Sequence, residues 1–236
     1  MKTIGLLGGM SWESTTLYYQ TINKTVNERL GGLHSARIIL YSVDFHDVEA
    51  LQRAGQWEEA GRLLANAAKR LEAASADCLV ICTNTMHCVA TYIVSEVGIP
   101  LLHIADATAQ AVKQAGVTTV GLLGTRFTME QDFYRGRLER EHGLAVLTPR
   151  ESDREIIHTV IYDELCQGKA LDASREQYRR IINELARQGA QGVILGCTEI
   201  SLLMKPEDSS VALFDTTTIH ARSAALWALA DLNGNA

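Results

Sequence analysis

Thr3-Ile4-Gly5-Leu6-Leu7-Gly8-Gly9 recurs as Thr119-Val120-Gly121-Leu122-Leu123-Gly124-Thr125, 116 residues further along the chain. A second stretch, Asp77-Cys78-Leu79-Val80-Ile81-Cys82-Thr83-Asn84-Thr85, recurs more loosely as Gln191-Gly192-Val193-Ile194-Leu195-Gly196-Cys197-Thr198-Glu199, at an offset of 114. Two independent matches at nearly one offset indicate a duplicated α/β unit, with equivalent loops expected to face each other across a cleft. The pairing sets Thr83 where the other half carries Cys197. Two opposed groups are thus expected to work on one small molecule, with thiol chemistry on one side only.

Outward from the repeat, short apolar runs alternate with longer amphipathic ones, the pattern of β-α-β units. The predicted strands are Thr3–Leu7, Arg37–Val43, Cys78–Cys82, Leu101–His103, Val120–Leu123, Ala145–Leu147, Gly192–Leu195 and Val211–Phe214. Most are continuously apolar, as parallel strands covered on both faces must be. Trp57–Ala74 and Arg175–Gln188 carry apolar residues at three- and four-residue spacing and read as surface helices. Thr128-Met129-Glu130-Gln131 has the form of a capping box opening a helix to about Glu141. Asp172 and Ser174 are candidate caps for the helix that follows. The expected fold is α/β: two pseudo-symmetric Rossmann-like domains with parallel sheets and the active site in the interdomain cleft. Residues 1–104 plus 213–236 form the first domain and 105–212 the second, the strand and helix after the second copy returning to the first half.

With 236 residues and an apolar share of 47%, the chain can fill two cores. A formal charge of −6 argues against nucleic acid or an anionic membrane as the main partner. No apolar run reaches the ~18 residues of a membrane span. The chain opens at once on a strand-like run, without a signal-peptide pattern, and its five cysteines do not read as a disulfide framework. A reduced, cytoplasmic protein is expected.

In open parallel sheets ligands sit beyond the carboxyl ends of the strands. Here those ends are Gly8-Gly9-Met10-Ser11, Thr83-Asn84-Thr85, Gly124-Thr125 and Cys197-Thr198-Glu199. Threonine and asparagine donors with helix-start N–H groups suit a small acid or zwitterion. Neither a Gly-x-Gly-x-x-Gly after the first strand nor a phosphate-loop motif is present, and the cysteines and histidines lack zinc spacing, so no metal site is expected. Cys197 is the strongest catalytic candidate, since a helix N-terminus would lower its thiol from ~8.5. Thr83 is far too weak an acid to replace a thiolate; it can hold a water, relay a proton or fill space. Strand alternation turns Cys82 to the opposite face, into the core. His87 either lines the cleft or is a satisfied helix-start histidine, and His158 with Tyr162 form one packed helix face. Asp44, Asp47, Gln52 and Arg53 follow the second strand, where a side-chain selector or a solvated helix start would lie.

Gly5-Leu6-Leu7-Gly8-Gly9-Met10, Thr83-Asn84-Thr85-Met86-His87 and Gly196-Cys197-Thr198-Glu199-Ile200 resemble the cofactor-independent aspartate/glutamate racemase family. Leu102-His103-Ile104-Ala105-Asp106 and Phe214-Asp215-Thr216 extend the resemblance over nearly the whole chain, and it looks closest to the enterobacterial L-aspartate/glutamate-specific type. The resemblance implies two similar α/β domains, a homodimer, an amino-acid substrate, and neither pyridoxal phosphate nor metal. In the family two cysteines on opposite faces of Cα take and return the proton; here the second is Cys197 and the first is Thr83. It implies that Cys197 deprotonates the L-enantiomer while Asn84, Thr85 and Thr198 anchor the amino and carboxylate groups, with Met10 and Thr125 lining the cleft. Archaeal-type relatives hold the side-chain carboxylate with an arginine and a lysine where this chain has Val48 and Cys166. Such a neutral side-chain site widens the range to polar amino acids such as homoserine, unless Gln52 or Arg53 restores recognition of an acid.

Three functional readings follow. The first is a racemase of L-aspartate, L-glutamate or a related polar amino acid. The second is a single-thiol decarboxylase or isomerase of the same superfamily, since one proton donor suffices after carbon dioxide leaves. The third is a non-catalytic small-molecule binder.

Overall fold

A computed structural model describes residues 1–232; the end of the expected first domain, 233–236, lies outside the described residues. The chain divides into two compact units, one of Met1–His103 with the segment from His220 onward, the other of Ile104–Ile219.

The first unit runs β1 (Thr3–Gly8), α1 (Trp12–Leu30), β2 (Arg37–Ser42), α2 (Phe45–Arg53), α3 (Trp57–Ala73), β3 (Cys78–Ile81) and, after a 3-10 turn at Thr85–Val89, α4 (Ala90–Val94). Its sheet is parallel, in the order β2-β1-β3. Alternation divides the side chains between two apolar layers. Ile4, Leu6, Cys78, Val80 and Cys82 pack with Tyr18, Ile22 and Val26 of α1, while Leu7, Leu79 and Ile81 pack with α3. Ala60, Leu64, Ala67, Ala68 and Leu71 form the buried stripe of α3, and Glu58 and Glu59 sit in its first turn, where the helix dipole favours them.

The predicted strand Leu101–His103 is reduced to a single parallel bridge, Leu79 to Leu101. The Leu79 N–H donates to Pro100 O and the Leu102 N–H to Leu79 O, both at 2.9 Å. Helix α5 (Ile104–Gln114) starts two residues later, so no longer ladder can form.

The second unit continues with β4 (Thr119–Gly124), α6 (Arg126–Glu130), α7 (Asp132–Arg140), β5 (Ala145–Leu147), α8 (Glu151–Asp163), α9 (Asp172–Arg187), β6 (Gly192–Gly196), α10 (Ile200–Leu203) and β7 (Ala212–Asp215). The sheet order is β5-β4-β6-β7, again parallel. Val193 and Leu195 pack on α8 and α9, Ile194 on the α5 and α7 side.

The expected return to the first domain at 213 is corrected by β7, which pairs with β6 from Gly192–Ala212 to Leu195–Asp215. Without it the outer edge of β6 would leave its backbone groups unpaired. The return falls instead inside α11 (Thr216–Leu229): Ala221, Ala224, Ala225 and Ala228 pack in the first unit with Ile4, Leu6 and Val80. The start of the second unit moves by one residue, to Ile104.

Two capping expectations are also corrected. Thr125, not Thr128, caps α6, accepting from the Thr128 N–H at 3.4 Å, and extended backbone at Gln131 splits α6 from α7. Neither Asp172 nor Ser174 caps α9: Asp172 pairs with Arg175, and Ser174 Oγ donates to Glu164 at 2.6 Å. Among the described residues no helix is long and apolar enough to cross a membrane.

Candidate active site

The strand registers make the repeat concrete. Leu7 pairs with Ile81, and Leu123 pairs with Leu195. Two residues beyond Ile81 lies Thr83, and two beyond Leu195 lies Cys197, so they occupy equivalent strand-end positions in their own units.

In the first unit, Gly9 turns the chain out of β1 at φ +93°, and an added Cβ would stand 2.2 Å from the Val43 carbonyl oxygen. Only glycine fits there. The turn carries Met10 into the apolar cluster with Leu7, Val48, Ile81 and Met86, where it is buried. Thr83 is half-buried, while Asn84 and Thr85 are buried at the start of the 3-10 turn. His87 Nδ1 lies 2.8 Å from the Thr83 carbonyl oxygen. A carbonyl only accepts, so Nδ1 carries the hydrogen. Burial first, then the neighbouring His103 and His220 rings, hold His87 well below the ordinary imidazole range.

Gln52 is buried on α2 and donates through Nε2 to the Met86 sulfur at 2.8 Å. Arg53 is exposed and paired with Glu49, which raises its guanidinium further. Of the two candidates for side-chain recognition, only Gln52 lies inside the unit. Asp44 caps α2 by accepting from the His46 N–H at 3.0 Å, the helix-start role. Cys82 is fully buried, as alternation requires, with its thiol pushed up by burial.

In the second unit, Thr125 is buried and serves as the α6 cap. Gly196 delivers the chain to Cys197; a Cβ at 196 would approach Leu123 O to 2.8 Å. Cys197 is half-buried, and its Sγ–H donates to Glu199 Oε2 at 3.0 Å. The Thr198 hydroxyl donates to the same oxygen. Loss of water, then the Glu199 carboxylate, hold the Cys197 thiol well above its ordinary value, while the Glu199 backbone N–H pulls the other way. The expected lowering by a helix N-terminus is therefore overturned: α10 has only four residues, and the nearest charge is a carboxylate.

This arrangement sets a thiol against a carboxylate that accepts its hydrogen bond. A thiol that donates to a carboxylate in this way has an acceptor in place for its proton. Glu199 belongs to the quoted motif, yet sequence reasoning assigned it no role. The signal available was a carboxylate two residues past the thiol in a strand-end turn. His87, left open between two roles, is a satisfied helix-start histidine. His158 and Tyr162 are packed together, with ring centroids 4.8 Å apart.

Comparison with known proteins gives a consistent assignment. The Asp/Glu/Hydantoin racemase family matches over residues 7–224. A crystal structure from Yersinia pestis named "putative Asp/Glu Racemase" is 58% identical, covers 97% of this chain and 100% of its own, and superposes with a TM-score of 0.92. The structure of an aspartate racemase homologue from Pyrococcus horikoshii OT3 is 38% identical, covers 97% and 99%, and gives 0.84. The broad specificity amino-acid racemase RacX of Bacillus subtilis (strain 168) is 21% identical over 225 residues, 93% of this chain and 95% of RacX.

Proposed function

We propose, on the premise that this chain belongs to the Asp/Glu/hydantoin racemase family, that it is a cofactor-independent racemase of L-aspartate, L-glutamate or a related polar amino acid. Its homologues are amino-acid racemases, which are isomerases, and the chain takes that enzyme class. The observation that carries the reading is the Cys197–Glu199 pair at the end of β6.

The difficulty of the reaction is the weak acidity of the α-proton. As the Cys197 proton moves to Glu199 Oε2, the sulfur takes the α-proton of the L-amino acid, so the regenerated thiol carries the substrate proton and the original thiol proton is held on the Glu199 carboxyl. Asn84, Thr85 and Thr198 anchor the amino and carboxylate groups, and negative charge grows on the carboxylate they hold. Return of a proton to the same face gives exchange with retention. Return to the opposite face gives inversion, and Thr83 serves that face, where it holds a water or relays a proton. Met10 and Thr125 shape the site from within their own units: the first by packing, the second by fixing α6. Gln52 recognises the substrate side chain, while Arg53 stays with Glu49 in solvent.

The enzyme works in the cytoplasm as a homodimer. Five free cysteines fit a reducing compartment, and the resemblance supplies the dimer, which light scattering in solution tests.

The test of the activity is NMR of α-proton loss in D₂O with L- and D-aspartate and L- and D-glutamate, for the wild type and for Cys197→Ala. Exchange in the wild type and none in the variant supports the reading; exchange that survives in the variant sinks it. Release of carbon dioxide from a substituted malonate, with no amino-acid exchange, selects the decarboxylase instead.

A further inference from the structure

Behind the Thr83 loop lies a set of aromatic groups, buried except for the half-buried His103, that the proton-transfer chemistry does not use. The His87 and His103 rings meet edge to face with centroids 4.5 Å apart, and the His220 ring lies 5.9 Å from His87. His220 Nε2 lies 2.7 Å from the Leu102 carbonyl oxygen, so it donates there. With that hydrogen on Nε2, a neutral ring accepts at Nδ1, and the Tyr18 hydroxyl supplies the hydrogen at 2.9 Å. Tyr18 and His220 are fully buried and His87 is 2% exposed, so these three rings are fixed in direction.

We propose that His87 is the positioning residue of the Thr83-Asn84-Thr85 loop: its Nδ1–H tautomer holds the Thr83 carbonyl, and the His103 ring and the Tyr18–His220 pair hold His87. The inference rests on the reading that this loop contacts the substrate. One hydrogen bond fixes the peptide between Thr83 and Asn84, and with it the direction in which both side chains leave the backbone. Tyr18 comes from α1, His220 from α11 and His103 from the residue before α5, so elements remote in sequence gather around the one ring that bonds the Thr83 carbonyl.

The bond serves the inverting face, while Cys197 and Glu199 stand on another loop. Loss of the bond therefore lowers inversion more than exchange with retention. A merely structural role would lower both together. The experiment compares wild type, His87→Phe and His87→Asn for the ratio of inverted product to total α-deuterium incorporation, in D₂O with the L-substrate. The asparagine amide nitrogen takes the place of Nδ1, whereas phenylalanine keeps the ring and removes the donor.

We expect the ratio to fall about tenfold in His87→Phe and to stay within about threefold of wild type in His87→Asn, the weight of one good hydrogen bond. An unchanged ratio in a folded His87→Phe overturns the proposal. Nitrogen-15 NMR of the wild-type histidines gives a reading that needs no variant: hydrogen on His87 Nδ1 supports the proposal, and hydrogen on Nε2 alone overturns it. If the wild type exchanges no amino-acid α-proton, the activity assignment falls, while the tautomer still decides the place of His87.

Discussion

The loop after β3 and the loop after β6 leave equivalent strand ends in equivalent register, yet their chemistry is opposite. After β6, a thiol donates to a carboxylate two residues on, and the group built there can become a base. After β3, a hydroxyl stands in the same place and a neutral histidine grips the carbonyl behind it. The first loop carries a reactive group with an acceptor; the second carries polar side chains whose backbone is held still. Duplication thus preserves the geometry of a strand end while leaving free which residue occupies it. A two-thiol reaction scheme needs both loops alike. This chain keeps the frame and sets different side chains on it.

Cys197→Ala removes the active member of the comparison, and α-proton exchange from the L-substrate should fall by about 10³-fold or more, read by NMR in D₂O. The variant should fold normally, because Cys197 is only half-buried.

Glu199→Gln separates the acceptor from the thiol. Exchange should drop by about 100-fold as the proton acceptor is lost. The same change removes the negative charge that helps hold the thiol up, so iodoacetamide should alkylate Cys197 faster at neutral pH. Exchange at the wild-type rate in Glu199→Gln would contradict the assigned role of the carboxylate.

Thr83→Cys makes the two loops alike. Exchange from the D-enantiomer should rise by about tenfold, with the L-rate changed far less. A thiol at 83 that leaves the D-rate untouched would show that the position does not reach the substrate.

The smallest expected effect concerns stability. Burial holds His87 below its ordinary value, and the facing groups His103 and His220 act in the same direction. The unfolded chain therefore binds more protons than the folded one below about pH 6.5. Its stabilising contribution is complete above that pH and is lost as pH falls through the folded value. His87→Asn removes this dependence, so the loss of thermal stability between pH 7 and 5 should shrink. His158, also lowered by burial and by Arg126, keeps its own share in both proteins.

Much of the fold was legible because periodicity and repetition report burial directly. Continuous apolar runs marked the seven strands of the described residues within a residue or two, and the repeat offset predicted that Thr83 and Cys197 follow equivalent strand ends in their own units. The Leu101–His103 segment was misread because apolarity does not tell a single bridge from a ladder. The tail was misassigned at β7 because sequence does not reveal that β6 needs an outer partner, and the crossing had to wait for α11. In the site, the thiol and the polar loop were readable from residue type. The raised thiol was not, since it depends on burial and on which way Glu199 turns. The histidine set was equally hidden: Tyr18, His87, His103 and His220 are spread over 202 residues and meet only in the folded unit.

The most direct test of one-sided chemistry is the ratio of initial α-proton washout rates from the L- and D-enantiomers of the wild-type protein in D₂O. The equilibrium between enantiomers is near one whatever the catalyst, so the ratio reports the two faces and not the driving force. With Cys197 as the single efficient base, washout from the L-form should exceed that from the D-form by about tenfold or more. Equal rates from both enantiomers would mean a second competent base, and the division between the two loops would be wrong.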